Sequence, residues 1–113
     1  MARIDGYSFG SIVIDGTEHT KDVIILPDRV ISNWWRKDGH SLVVEDLADV
    51  LDELPSRLVV GAGAYSRMKP RPEAVKDLEE RGIAVEILAT DEAVRRYSEL
   101  DPAAVAAALH LTC

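Results

Sequence analysis

Residues 57–100 read RLVVGAGAYSRMKPRPEAVKDLEERGIAVEILATDEAVRRYSEL. The stretch decides the fold because its apolar pattern changes period three times. Leu58-Val59-Val60 is a short continuous apolar run, as expected of a strand buried on both faces. Pro72 suits the first position of a helix over PEAVKDLEERG, and Gly82 suits the C′ position that ends it. IAVEILA then reads as a second strand, and Thr90 as the N-cap of a helix over DEAVRRYSEL. In that helix Ala93, Val94, Tyr97 and Leu100 form the apolar stripe. Strand, helix, strand, helix calls for an α/β layered fold.

Upstream, Ile12-Val13-Ile14 and Val23-Ile24-Ile25-Leu26 are β-branched runs with the turn signal Asp15-Gly16 between them. Pro27-Asp28 closes the second run, and Arg29-Val30-Ile31 fits a further short strand. Val43, Val44, Leu47, Val50, Leu51 and Leu54 follow helical spacing through VVEDLADVLDEL. Glu45 and Asp46 fall where a helix dipole favours acid, and Pro55 would close that helix. The tail, PAAVAAALHLTC, is ambiguous by pattern. Its alanines favour helix, while Val105, Leu109, Leu111 and Cys113 would share one face of a strand.

The 113 residues suit one domain over 1–113, and the 47% hydrophobic content suffices for a single core. One cysteine, Cys113, cannot form an internal disulfide. The opening MARIDGYSFG lacks the apolar core of a signal peptide, and no apolar run approaches membrane-spanning length. A cytoplasmic protein is the expectation. Net charge is −7 and the pI is near 4.8. That balance argues against nucleic acid and anionic membranes as partners. Arg36, Lys37, Arg57, Arg67, Lys69 and Arg71 cluster in the middle third, as a local basic patch or a solvated mixture.

Gly61-Ala62-Gly63 after a strand invites comparison with a phosphate cradle. A dinucleotide fingerprint requires a third glycine and a helix opening at the phosphate. Here Ala64-Tyr65-Ser66 follows, and no helix starts before Pro72. A Walker loop fails for want of Gly-Lys-Ser/Thr. Gly61 and Gly63 are therefore expected to serve the bend that ends the strand. Exposed backbone N–H groups beside Arg67 and Lys69 could still hold a small anion.

Asn33-Trp34-Trp35-Arg36-Lys37-Asp38-Gly39-His40 is the second candidate. Adjacent tryptophans in an extended segment face opposite ways, so one is expected inside and one out. Trp and Arg are hot-spot residues at interfaces. If this loop and Gly61–Met68 both leave the carboxyl ends of strands, a ligand crevice could lie between them, with Tyr65 and Arg67 facing the tryptophans. His19, His40 and His110 have no metal-ligand spacing, and His110 and Cys113 would face opposite sides of a strand. Ser66 sits in no nucleophile elbow. The helical acids Glu45, Asp46, Asp49, Asp52, Glu53, Glu79 and Glu80 read as solvated surface. No catalytic residue, metal or cofactor is assigned, and the chain reads as a binding protein before an enzyme.

In order, YSFGSIVIDG, DVIILPDRV, WWRKDGH, VVGAG, TDEAVRRY and AAALHLTC resemble the small Mth-type α/β domain family. That family includes the adipogenesis-associated Mth domain-containing protein and a mitochondrial complex I assembly factor. Two departures stand out: GAG where GTG is usual, and Ser98 where Asn commonly follows the tyrosine. The resemblance implies three layers around a central mixed five-stranded sheet, helices on its faces and an extra N-terminal β-hairpin. It also implies that the C-terminal tail is a strand antiparallel to its neighbours. It implies no activity; the assembly-factor relatives imply protein binding.

Two expectations follow. One is an interaction or assembly factor contacting an unknown protein partner through Trp34, Trp35, Arg36, Lys37 and His40, as a monomer or weak homodimer. The other is a small-ligand or anion-binding protein using Gly61, Gly63, Tyr65 and Arg67 opposite the tryptophan loop.

Overall fold

The computed structural model describes residues 2–113. Its centre is a mixed five-stranded sheet. In chain order the sheet contains β4 (Val23–Ile25), β5 (Val30–Ile31), β7 (Arg57–Gly61), β9 (Ala84–Leu88) and β10 (Ala106–Leu109). They lie side by side as β5-β4-β10-β7-β9. Helix α1 (Pro72–Glu80) joins β7 to β9, and α2 (Thr90–Glu99) joins β9 to β10. The first strands form a separate antiparallel sheet of β1 (Ile4–Ser8), β2 (Ser11–Ile14) and β3 (Thr17–His19). A short parallel pair, β6 (Ser41–Leu42) with β8 (Lys69–Pro70), completes the strands.

The main sheet separates two apolar clusters, and strand alternation assigns residues to them. Ile24, Leu58, Val60, Ala106 and Ala108 face Leu47, Val50, Leu78 and Trp34. Val23, Ile25, Val59, Ala107 and Leu109 face Ile12, Ile14, Ala93 and Tyr97. Thus α1 and the 44–53 segment cover one side, while α2 and the N-terminal sheet cover the other. Both faces of the central strands are sealed, which explains their continuous apolar runs.

Several local expectations hold. Asp15 and Gly16 both take positive φ, at 49° and 81°, and turn β2 into β3. Pro72 opens α1, and Gly82, at φ 85°, follows its C-cap Arg81.

Five expectations need correction. Residues 43–54 form no α-helix; they make two separate 3-10 turns, Val44–Leu47 and Leu51–Glu53. The Trp34 indole N–H donates to the Asp46 carbonyl at 2.9 Å, taking the acceptor that an α-helix would offer to the N–H of Val50. Val50 donates to the Leu47 carbonyl instead. The apolar pattern was still sound, since Leu47 and Val50 are buried in the core. Second, Thr90 is the first residue of α2, with Ala89 at the cap. The Thr90 hydroxyl is committed elsewhere, accepting from the Gly63 N–H at 2.8 Å and donating to the His110 carbonyl at 2.6 Å. Third, β10 is antiparallel to β4 but parallel to β7, so the tail is antiparallel to only one neighbour. Fourth, the N-terminal addition is a three-stranded meander, because Thr17–His19 extends the expected hairpin. Fifth, Arg36 is buried and not part of an exposed patch. No helix of the described residues is long and apolar enough to cross a membrane.

Candidate functional site

Topology brings five chain segments to one end of the main sheet. β7, β9 and β10 run parallel, so Gly61–Gly63, Thr90 and His110 all follow carboxyl ends of strands. β4 runs the other way, with Val23 opposite Leu109, so its start at Asp22 lies at this same end. β5 returns antiparallel to β4 with Ile31 opposite Ile24, delivering Asn33–His40 to it as well. The expected convergence of the tryptophan and glycine loops at strand carboxyl ends is therefore met. In open α/β sheets this end is where ligand sites form.

The glycines serve backbone approach. A Cβ on Gly63, whose φ is 103°, would lie 2.2 Å from the Cys113 carbonyl carbon. A Cβ on Gly61 would come within 2.9 Å of Leu109 Cδ2 and 3.0 Å of Thr90 Oγ1. The loop then carries the end of the chain: Ala64 N–H donates to the Thr112 carbonyl and Arg67 N–H to the Cys113 carbonyl. Neither departure from the family pattern lines a cavity at the tryptophan loop. Ala62 is buried in the sheet end, and Ser98 is exposed on α2, bonded to the carbonyl of Val94.

The tryptophans split as expected, and the structure says which is which. Trp34 is 7% exposed and Trp35 is 81% exposed. Arg36, also only 7% exposed, stacks its guanidinium 4.8 Å from the Trp34 ring centre. Its Nη1 donates to Asp22 Oδ2 at 2.7 Å and its Nη2 to the Gly39 carbonyl at 3.1 Å. Asp22 is the residue that the sequence reading passed over. The same Oδ2 lies 2.8 Å from His110 Nδ1, and Oδ1 accepts from the Leu111 N–H at 2.8 Å. Burial opposes ionisation of Asp22. The His110 ring, the Leu111 N–H and the Arg36 guanidinium together outweigh it and hold the carboxyl below its ordinary value. Arg36 Nη2 is also 3.0 Å from His110 Nδ1. A nitrogen that donates to the carboxylate cannot accept from the arginine, and the shorter, charge-assisted bond to Asp22 favours the Nδ1–H form. Arg36 Nε and His110 Nε2 are buried without partners among the described residues.

A signal for this cluster existed in the sequence. Asp22 and His110 each abut a fully apolar strand, one at its start and one at its end, where a polar group is set against the sheet end.

The other candidates disperse. Lys37 is exposed, and its backbone N–H donates to Asp46 Oδ1 at 3.1 Å. His40 is exposed, and its carbonyl accepts from Lys69 N–H where β6 meets β8. Tyr65, 69% exposed, pairs with Phe9 of the turn between β1 and β2 at 6.3 Å between ring centres. Arg67 is exposed, and Arg57 is neutralised by Glu86, so of the two readings of these cations the solvated mixture is the one that fits. Among the described residues, no group of three His, Cys, Asp or Glu could hold a metal.

Cavities of about 630, 760 and 460 Å³ touch the tryptophan loop, and none takes a lining residue from Gly61–Met68. The crevice expected between the two loops is therefore not where these hollows lie. Trp35 stands between two of them. The 760 Å³ groove has Ile24, Ile31, Leu47 and Val50 in its floor and Glu45 and Asp49 at its rim. The 460 Å³ cavity on the other side is walled by Lys21, Asp22 and His110.

A family model described as a protein of unknown function (DUF498/DUF598) matches residues 4–110. Among solved structures, a conserved hypothetical protein from Pyrococcus horikoshii OT3 is 30% identical, with a TM-score of 0.83; the match covers 98% of this chain and 99% of that one. An outer membrane protein from Bartonella henselae is 27% identical with a TM-score of 0.83, over 99% and 96% of the two chains. The protein MT938 is 27% identical with a TM-score of 0.77, over 100% of both.

Proposed function

The chain belongs to the DUF498/DUF598 family of proteins of unknown function, the Mth-type family its sequence blocks resemble, and from that premise we propose that it is a protein-interaction or assembly-type factor that presents Trp35 to a partner. The observation that carries this reading is the contrast at three consecutive residues: Trp35 is 81% exposed between Trp34 and Arg36, each 7% exposed. Both flanks are pinned, Trp34 to the Asp46 carbonyl and Arg36 to Asp22. Less order has to be created on binding, which favours Trp35 as a hot spot.

The groove beside Trp35 indicates the partner. Its floor is apolar and its rim carries Glu45 and Asp49, both exposed, with Asp46, against one cation, Lys37. An apolar side chain flanked by Lys or Arg would complement it. The net charge of −7 agrees with a basic protein partner and opposes nucleic acid or an anionic membrane. In this reading the chain works in the cytoplasm, as a monomer or weak homodimer, without a cofactor.

The test is affinity capture from a lysate of the source cells with wild type and Trp35→Ala, both verified as folded by circular dichroism. The expected result is a partner retained by wild type, lost with Trp35→Ala and weakened by added salt. Identical protein sets on both baits would overturn the proposal.

A further inference from the structure

The free edge of the main sheet carries an inference independent of Trp35. We infer that β9 pairs antiparallel with β9 of a second copy of this chain, joining two five-stranded sheets into one.

Backbone chemistry comes first. β9 lies at the edge of the sheet and pairs only with β7. The Ala84 N–H donates to the Ser56 carbonyl, and the Leu88 carbonyl accepts from the Ala62 N–H. The even-numbered residues of β9 therefore turn their backbone groups towards β7. Alternation turns the N–H and C=O groups of Val85 and Ile87 outward, and they have no partner among the described residues. Such a row is a template for a further strand.

The other edges are blunted, and β9 is not. β5 and β3 are two and three residues long, β1 has a bulge between Ile4 and Gly6, and β8 ends in Pro70. Ala84-Val85-Glu86-Ile87-Leu88 keeps a regular register, holds no Pro, Gly or Lys, and leaves Ile87 45% exposed. Its one charge, Glu86, is the kind of group that deters edge pairing, but here it is neutralised. Arg57 Nη1 donates to Glu86 Oε2, Arg96 Nε donates to Oε1 at 2.9 Å, and Arg96 Nη1 also lies 3.7 Å from Glu99 Oε1. Two arginines stand against two glutamates, so this corner is balanced in a chain of net charge −7.

Self-complementarity selects a second copy over an unrelated strand. A two-fold axis at Glu86 sets Val85 opposite the partner's Ile87, and the outward groups of these two residues are then the ones that exchange hydrogen bonds. Val85 packs with the cluster beneath α1, so these β-branched pairs extend that apolar side. On the α2 side Ala84 meets the partner's Leu88, small against large. Glu86 faces the partner's Glu86, and the flanking guanidinium groups have N–H donors to bridge both carboxylates.

Sedimentation velocity of the full chain over a concentration series is the test, with circular dichroism checking that each variant is folded. The expected result is a reversible monomer–dimer equilibrium with a dissociation constant in the micromolar range, because an edge pairing is a small interface. Val85→Pro removes an outward N–H and no bond to β7, and Ile87→Lys places a charge on the open edge. Each is expected to weaken the dimer about tenfold or more. If Val85→Pro fails to fold, Ile87→Lys decides. Amide exchange at Val85 and Ile87 is expected to slow as the dimer fills. Trp35→Ala is expected to dimerise as wild type does, which separates this edge from the partner surface. The inference is overturned by a chain that stays monomeric at millimolar concentration, by a dimer that either folded edge variant leaves intact, by a dimer that requires Trp35, or by Val85 and Ile87 amides whose exchange ignores concentration.

Discussion

Asp22 and His110 lie 88 residues apart in the chain, and Asp22 Oδ2 sits 2.8 Å from His110 Nδ1. The contact joins the residue before β4 to the residue after β10, the two strands that pair antiparallel at the centre of the sheet. Through Arg36 it reaches the tryptophan loop, and through the His110 carbonyl it reaches Thr90 and the glycine loop. One buried polar chain thus organises the end of the sheet that carries the exposed tryptophan.

Asp22→Asn removes the charge that compensates buried Arg36, whose side chain is 4% exposed. Breaking one half of such a pair is expected to cost about 2–3 kcal/mol in denaturant unfolding. The pH dependence has a definite sign. The folded-state pKa of Asp22 lies below its ordinary 3.8, so its stabilisation is complete above that value and is lost as pH falls through the folded value. Glu53 and Glu86 are shifted the same way by their arginine partners, so wild type alone does not isolate Asp22. The wild-type advantage over Asp22→Asn is expected to shrink progressively below about pH 4. An advantage that stays constant into strong acid would show that Asp22 is not the group responsible.

Gly63→Ala tests the account of the glycine loop. The new methyl would collide with the Cys113 backbone at 2.2 Å, on a residue whose φ of 103° already excludes ordinary side chains. The expected loss is about 3 kcal/mol or more. Gly82→Ala is the control, because its φ is 85° yet nothing lies within 4 Å of the added carbon. It should cost only about 1 kcal/mol, the conformational part. Equal losses at both positions would mean that close approach is not what Gly63 provides.

The parts of the fold that were legible in the sequence are those set by local chemistry. Pro72 and Gly82 bracket a helix because of their own backbone constraints, and Asp15-Gly16 turns because both residues accept positive φ. The illegible parts depend on partners far along the chain. Residues 43–54 carry a sound helical pattern, but Trp34 claims the Asp46 carbonyl and divides the segment into two turns. Thr90 has the residue type of a cap, yet its hydroxyl is drawn to Gly63 and His110. At the candidate site, the split between Trp34 and Trp35 was legible from strand geometry. The burial of Arg36 was not, because its counter-charge, Asp22, is brought to it only when β4 and β5 pair and fold the tryptophan loop back over the sheet end. The tail's alanines hid its central place, since Ala106–Ala108 pair on both sides and owe their burial to neighbours rather than to their own size.

The tryptophan pair should behave as two unlike probes. Trp34→Ala empties a core position and frees the Asp46 carbonyl, with an expected loss of about 3–5 kcal/mol. Trp35→Ala should change stability by less than about 0.5 kcal/mol. In wild type, acrylamide should quench one indole strongly and the other weakly, and Trp35→Ala should abolish the strongly quenched component. Equal quenching of both indoles would contradict the burial found here.

Leu109→Ala tests whether the tail is the central strand. Leu109 is fully buried in the cluster beneath α2 and pairs with Val23 on one side and Gly61 on the other. Its Cδ2 also fills the space beside Gly61 that a larger residue there would need. Truncation leaves a cavity between two sheet partners that are fixed by their own hydrogen bonds and cannot collapse inward. The expected loss is about 3 kcal/mol, measured by denaturant unfolding with an unchanged slope. Gly61→Ala in the Leu109→Ala background should cost less than Gly61→Ala alone, because the side chain it would strike is gone. Additive losses would show that the two positions do not share that space, and a loss below about half a kcal/mol for Leu109→Ala would remove the tail from the core.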